Sequence, residues 1–245
     1  SNGFVVENVD ESISNLAEML NAPVSFDFKE KIADFLKDEL QNKMYFEYGN
    51  LGYDLTETYA SFCIKTGRKD EFLQYLDSKI QFAKNDDYER AFFIKTKILF
   101  LSGIDSTDEI KNIIQQNVDI PEIRSIEIDR NIKNQDYETA KKLISEGIKT
   151  AETKKHSGTV FQFKKKLLAI AVLEKDIQLE RYFSRKFALG QTLDSTYYKQ
   201  WKSTYSKEEW IQTIEELILE VTKKINDTLK NNIFHNYNSL NTNLL

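Results

Sequence analysis

A short turn phrase recurs along this chain and constrains its fold more than any other feature of the sequence. The phrase occurs at residues 67–71 (GRKDE), 135–138 (QDYE) and 175–178 (KDIQ), and amphipathic helical runs flank each copy. A single helix pair cannot bury its apolar face alone, so recurring pairs must stack on one another. The phrase therefore predicts an α-solenoid of stacked antiparallel helix pairs.

The scarcity of turn residues supports an all-α fold. Glycine occurs 8 times and proline 2 times in 245 residues, which leaves few sites for the tight hairpins of a β-sheet. Hydrophobic residues make up 40% and charged residues 30% of the chain, a balance that suits a folded protein with solvated helix faces.

Apolar residues spaced three or four apart predict twelve helices. We expect them at residues 8–20, 26–47, 54–66, 69–84, 88–101, 106–116, 121–133, 137–154, 158–174, 177–189, 194–204 and 207–230. The helices are expected to form one domain, residues 1–232. The asparagine-rich tail, residues 233–245, is expected to fray because asparagine favours turns over helix interiors.

Several helix starts are predicted independently of this periodicity. A serine or aspartate followed three residues later by a glutamate is the pattern of a capping box. The pattern occurs at Ser206 with Glu209, Ser106 with Glu109, and Asp54 with Glu57. Pro121 is expected in the first turn of its helix, where its missing N–H would have no partner in any case.

The spacing of the turns indicates irregular repeats. If Gly67, Gly103, Gln135 and Lys175 mark equivalent turns, they are separated by 36, 32 and 40 residues. These values bracket the tetratricopeptide period of about 34 residues and reach the armadillo and HEAT range of about 40.

One stretch resembles a known family. Residues 127–217 contain the segments DYETA (136–140), LISEGI (143–148), LLAIA (167–171) and YYKQW (197–201). These resemble the tetratricopeptide-like helical region that accompanies SWIM zinc-finger domains in bacterial proteins. That family binds zinc through cysteines and a histidine, whereas this chain has one cysteine, Cys63, and two distant histidines, His156 and His235. The resemblance therefore implies a helical partner region without the finger, and it assigns no functional residue.

The sequence offers no recognisable catalytic or cofactor site. Glycine-rich phosphate loops are missing, and the two histidines lie in no nucleophile or zinc-ligand context, so we expect no cofactor, no metal and no enzymatic activity. The single cysteine, Cys63, is expected to be buried, and it favours a reducing, cytoplasmic location. No apolar run reaches the roughly 20 residues that span a membrane, so no membrane contact is expected.

Charge is distributed unevenly along the chain. Residues 1–60 carry four lysines against twelve acidic residues, whereas residues 154–202 carry eleven basic residues against four acidic ones, a balance of +7. Such a stretch can form a basic surface that contacts phosphates, with aromatic rings that stack on bases. The candidate residues are Lys154, Lys155, Lys164, Lys165, Lys166, Arg181, Arg185, Lys186, Lys199, Lys202 and Trp201.

Two functions follow from these features. The first is a scaffold that binds a peptide or protein partner, or that positions a neighbouring domain. The alternative is an accessory nucleic-acid-binding region that uses residues 154–202, with Trp201 or Tyr198 as the stacking ring. A net charge of −5 and a pI near 5.3 disfavour a dedicated nucleic-acid module, for which a pI above about 9 is typical. The oligomeric state stays open.

Overall fold

The computed structural model describes residues 2–47, 50–83, 86–104, 106–190 and 192–242. Helices account for 82% of the structure, and the described residues form thirteen helices and no strand. The predicted all-α class is therefore confirmed. Among these residues, no helix combines the length and the apolar character that crossing a bilayer requires.

The helix bounds follow the predicted ones closely, with three exceptions. The helices are α1 (Asn2–Met19), α2 (Phe26–Glu39), α3 (Met44–Glu47), α4 (Leu51–Thr66), α5 (Lys69–Phe82), α6 (Asp87–Ser102), α7 (Thr107–Gln116), α8 (Pro121–Lys133), α9 (Tyr137–Thr153), α10 (Ser157–Glu174), α11 (Ile177–Ala188), α12 (Ser195–Ser203) and α13 (Lys207–Thr242). The chain is already helical from Asn2, six residues before the predicted start of α1. The helix predicted over 26–47 is two helices. The asparagine-rich tail continues α13 to Thr242, where the sequence predicted fraying from 233.

The break between α2 and α3 has a local cause. The buried Leu40 ends α2, and the side-chain oxygen of Asn42 accepts a hydrogen bond of 3.1 Å from the backbone N–H of Met44. Asparagine competes with helix hydrogen bonds in this way and favours the position just before a helix. Residue 84, at the predicted end of α5, and residues 243–245 lie outside the described part of the chain.

The chain forms two compact units, residues 1–147 and 148–245, where the sequence predicted a single domain over 1–232. In the first unit, α4 packs against α1, α2, α3, α5 and α6, and α6 packs against α7 and α8. Helices α4 and α6 thus each contact their successor and the helix after that, which is the neighbour pattern of stacked pairs, whereas α1 and α2 both pack against α4. The solenoid arrangement itself stays a prediction.

Helix α6 contributes to two apolar clusters of the first unit. Phe93 and Phe100 join the cluster formed with α1, α2, α4 and α5, while Ile94 and Ile98 join the cluster formed with α7 and α8. Aromatic rings meet at an angle in the first cluster, as between Phe72 and Phe100, whose centroids lie 4.7 Å apart. Alternate faces of one helix therefore hold successive layers together.

In the second unit, α10, α11 and α12 pack in chain order. Leu168, Phe183 and Phe187 form the apolar cluster between α10 and α11, and Tyr197 of α12 packs against it. Helix α13 follows α12 directly, and its Trp210 meets Trp201 edge to face at 4.8 Å between ring centroids.

Four helix ends share one backbone geometry, and it explains the recurring phrase. Gly67, Gln135, Lys155 and Lys175 have φ values of 76°, 61°, 58° and 59°. In each turn the next residue donates its N–H to the carbonyl five residues back, at 2.8–2.9 Å. This is the Schellman arrangement, in which a left-handed residue ends the helix. Gly103, predicted to be equivalent, has φ −74° and does not belong to the set, whereas Lys155 joins it.

At two of these turns, the residue after the left-handed residue caps the next helix with its side chain. Asp136 accepts a hydrogen bond of 3.1 Å from the N–H of Thr139, and Asp176 accepts one of 3.0 Å from the N–H of Leu179. The Lys-Asp and Gln-Asp pairs of the phrase thus end one helix and begin the next.

The predicted helix starts have mixed outcomes. Ser206 and Glu209 exchange hydrogen bonds of 2.8 and 3.2 Å, and Pro121 occupies the first turn of α8, so both predictions are confirmed. Ser106 makes no side-chain capping bond, and the side chain of Glu109 pairs with Lys97 at 3.5 Å, so the second box was wrong. Asp54 lies inside α4, which begins at Leu51, so the third box was wrong.

One thiol and two tyrosine hydroxyls in the first unit are held in their neutral forms. Cys63 is buried, as predicted, and burial raises the pKa of its thiol to about 12. A hydrogen bond donated to Glu39 raises the pKa of the Tyr45 hydroxyl to about 12, and burial raises the pKa of Tyr59, which also donates to Glu71 at 2.6 Å. Ionisation of these groups therefore favours the unfolded chain.

We expect the free energy of unfolding to fall as the pH rises from about 9 toward 12. The folded-state pKa values lie above the unfolded ones, which are 9.0 for the thiol and 10.0 for the tyrosines, so the stability they supply is complete at lower pH and is lost through this window. Urea unfolding at a series of pH values measures the slope. Cys63→Val removes the thiol and should make the slope shallower, and an unchanged slope would contradict this account.

We also expect glycine to stabilise the three left-handed turns that lack it. Gln135→Gly, Lys155→Gly and Lys175→Gly should each raise the free energy of unfolding by about 0.5–1 kcal/mol, because glycine has no Cβ to oppose a positive φ. Urea denaturation measures the change.

Two further glycine substitutions serve as controls. Gly67→Ala should cost about 1 kcal/mol through the backbone alone, since no atom lies within 4 Å of the added Cβ. Gly158→Ala, equally uncrowded but within helix α10 and without a positive φ, should not destabilise the protein. Destabilisation by all three glycine variants would show that the lysine and glutamine side chains matter more than the backbone.

Candidate ligand-binding groove

A groove in the second unit lies between α11 and the segment formed by α12 and α13. Its volume is about 580 Å³, which falls within the range typical of ligand sites. The lining residues combine cationic, aromatic and polar side chains: Gln178, Arg181, Tyr182, Arg185, Lys186, Leu189, Trp201, Tyr205 and Glu220.

Helix α11 supplies most of this lining because its two faces differ. Phe183 and Phe187 are buried in the apolar cluster with α10 and α12. Residues 178, 181, 182, 185, 186 and 189 recur at intervals of one, three or four and share the other side of the helix. The helical period that buries one face thus presents the cationic face to the groove.

Arg181 fixes one wall of the groove. Its Nη2 donates to the carbonyl of Thr204 at 2.6 Å, and its Nε donates to the Thr204 hydroxyl at 3.3 Å. The guanidinium carbon lies 3.7 Å from the centroid of the Tyr205 ring, and Nη2 lies 3.6 Å from a carboxylate oxygen of Glu209. A planar guanidinium can stack and donate at the same time, so Arg181 ties α11 to the α12–α13 connection.

Arg185 and Lys186 place further positive charge along the groove. Arg185 pairs with Glu220 of α13, and its guanidinium carbon lies 5.9 Å from the centroid of a Trp201 ring. The Lys186 ammonium lies 5.6 Å from the centroid of the Tyr182 ring, which is 56% exposed. An exposed ring beside an exposed ammonium group offers both apolar and ionic contacts to a ligand.

Trp201 does not form part of the surface predicted from the sequence. It is 1% exposed and is packed edge-on by Trp210, Tyr198 and Tyr205. A base cannot stack on a ring in this position, so the predicted role of Trp201 was wrong. Its indole N–H is buried and has no hydrogen-bond partner within the described part of the chain, although Trp201 borders the groove. A buried donor without a partner lowers the stability of the folded chain.

The other predicted basic residues lie outside the groove. Lys164 pairs with Glu152 at 3.8 Å, and Lys165 lies 5.9 Å from the centroid of the Phe161 ring. Lys166 is half-buried on the same helix, α10. The remaining members of the predicted set are all exposed: Lys154, Lys155, Lys199 and Lys202. The structure thus brings together Arg181, Arg185 and Lys186 with Trp201.

The sequence interpretation missed Tyr182, Tyr205 and Glu220 as groove residues. Tyr182 follows Arg181 by one position and precedes Lys186 by four, and this shared face was the available signal. Tyr205 and Glu220 carry no such signal, because neither belongs to α11. Tyr205 reaches the groove from the connection between α12 and α13, and Glu220 reaches it from α13.

The described residues contain no group of three or more His, Cys, Asp and Glu side chains placed to hold a metal ion. His156 is exposed at the turn before α10, and the side chain of His235 lies outside the described part of the chain.

The chain matches no model of a known protein family, no curated protein and no solved structure. The resemblance to the helical region that accompanies SWIM domains therefore stays a prediction.

We expect Arg181→Ala to lower the free energy of unfolding of the second unit by about 2 kcal/mol, because it removes two partly buried hydrogen bonds and a ring contact. Lys186→Ala, on the same helix but exposed, should change it by less than about 0.5 kcal/mol. Urea unfolding followed by tryptophan fluorescence reports on this unit, since Trp201 and Trp210 both lie in it. Equal effects of the two substitutions would contradict the anchoring role of Arg181.

Proposed function

We propose that this chain is a non-enzymatic helical scaffold, acting in the cytoplasm, whose groove binds a peptide segment of a partner protein. The observation that supports the proposal most directly is the composition of the groove wall. Arginine and tyrosine are among the residues that contribute most at protein interfaces, and Arg181, Tyr182, Arg185 and Tyr205 border one groove. A role in positioning a neighbouring domain would use the same surface.

The charge of the groove favours an acidic peptide. Three cations line it against one carboxylate, Glu220, which already pairs with Arg185. A peptide carboxylate could pair with Lys186 or replace Glu220 at Arg185, and each contact would be charge-assisted. The exposed Tyr182 ring and the side chain of Leu189 could receive an adjacent apolar or aromatic side chain.

Nucleic-acid binding is the second candidate function. It is favoured by the exposed lysines outside the groove, Lys154, Lys155, Lys199 and Lys202, which lie in the stretch with the +7 balance. The buried position of Trp201 removes one of its two predicted stacking rings, and Tyr198 is half-buried against Trp201 and Trp210. The acidic-peptide hypothesis therefore has the stronger support.

Fluorescence anisotropy with labelled probes tests the proposal. An eight-residue peptide of aspartate and phenylalanine should bind, and a peptide with lysine in place of aspartate should not. Tyr182→Ala combined with Lys186→Glu should weaken binding at least about tenfold through the loss of an aromatic and an ionic contact. The matched control is Lys199→Glu, an exposed charge reversal outside the groove lining, which should change the affinity by less than about twofold.

The same experiment separates the two functions. Labelled single- and double-stranded oligonucleotides should not bind at moderate salt. Binding of oligonucleotides that falls with Lys199→Glu but not with the groove substitutions would support the nucleic-acid function instead. Equal binding of acidic and basic peptides, or no effect of the groove substitutions, would overturn the peptide proposal.

A further inference from the structure

Helix α13 carries an apolar stripe that the described residues leave uncovered. Its members are about half exposed: Ile211 at 54%, Ile218 at 58%, Val221 at 45%, Ile225 at 54% and Leu229 at 54%. The first, second and fourth members are seven residues apart. Intervals of three, four and seven keep side chains on one side of a helix over several turns, and this is the spacing of a coiled-coil seam.

The stripe borders the side of α13 that packs within the second unit, since Ile214 precedes Ile218 by four positions and Val221 by seven. Trp210 is buried, and Ile214 and Leu217 are half-buried. Glu209 and Glu220 pair with Arg181 and Arg185 of α11. Glu220 follows Ile218 by two positions and therefore points to roughly the opposite side of the helix. A partner on the stripe would leave the groove contacts in place.

The side chains beside the stripe permit a second copy of the same helix. Thr222 and Asn226 lie along its border and are exposed, uncharged and polar, whereas Glu215, four positions after Ile211 and three before Ile218, is exposed and charged. Two identical stripes can meet without opposing like charges at Thr222 and Asn226, and an antiparallel pair keeps the two Glu215 side chains apart. A seam of apolar residues at seven-residue spacing matches a helical partner, because a second helix presents the complementary ridges and holes.

The charge pattern of α13 selects the orientation of that partner. Residues 207–220 contain five glutamates and one lysine, whereas residues 221–230 contain three lysines and one aspartate. A parallel pair would place the acidic segments side by side. An antiparallel pair places the acidic segment of one helix beside the basic segment of the other, with its centre near residues 220–222, where the sign changes.

We propose that α13 pairs in antiparallel orientation with α13 of a second copy of this chain, through Ile211, Ile218, Val221, Ile225 and Leu229. The pairing buries a seam that is otherwise exposed to water, and it is independent of what the groove binds. A short seam of this kind predicts a dissociation constant on the order of micromolar.

Analytical ultracentrifugation of the full chain between about 5 and 500 µM tests the pairing. We expect a concentration-dependent dimer, and Ile218→Glu combined with Ile225→Glu should weaken it at least about tenfold, because a dimer would then bury four carboxylates. Both side chains are more than half exposed, so the helix content measured by circular dichroism should not change. A monomer at every concentration would overturn the proposal.

Leu219→Glu is the matched control. Leu219 is 70% exposed, more than any member of the stripe, but it lies about 100° around the helix from Ile218. The control should leave the dissociation constant within about twofold. An equal effect of the two sets of substitutions would show that general surface hydrophobicity causes the association, and it would overturn the proposed seam.

Disulfide formation tests the orientation. Two Leu229 positions meet in a parallel pair, whereas an antiparallel pair centred near residue 221 separates them by more than about 20 Å along the axis. A disulfide requires Cα atoms within about 7 Å. Leu229→Cys should therefore give no disulfide-linked dimer under mild oxidation, and efficient cross-linking would contradict the antiparallel orientation.

Discussion

The reversal of the chain at the end of each helix is the constraint on which the rest of this structure depends. A chain made almost entirely of helices must turn back sharply while satisfying the last carbonyl groups of each helix. Gly67, Gln135, Lys155 and Lys175 do this with one left-handed residue, and the next N–H closes the turn. The turns at Gly67 and Lys175 are short, and the helices on either side of each, α4 with α5 and α10 with α11, pack side by side and contribute to apolar clusters.

The groove follows from that packing. Helix α11 is held on one side by Phe183 and Phe187, so its opposite side must face the α12–α13 connection. Arg181 then joins the two walls through Thr204 and Tyr205. A rigid wall of this kind positions ligand-binding side chains without a large entropic cost on association. The same helix thus stabilises the unit and presents its candidate binding surface.

The sequence predicted the all-α class and most helix bounds, because three- and four-residue spacing of apolar side chains is a strong local signal. It also predicted the Ser206–Glu209 capping box and the burial of Cys63. It could not predict the burial of Trp201, because the aromatic side chains around it give no indication of which rings meet Trp210 of the following helix. The groove was only partly predictable for a similar reason, since Glu220 reaches it from α13.

The burial of Cys63 has a practical consequence for experiments on this protein. The only thiol of the chain is 0% exposed and is held protonated well above neutral pH, so it lacks the thiolate that reacts with maleimides. A cysteine placed on the surface would therefore be the single reactive site for a fluorophore or a spin label. Distances within each unit can be measured in solution without first removing a native side chain.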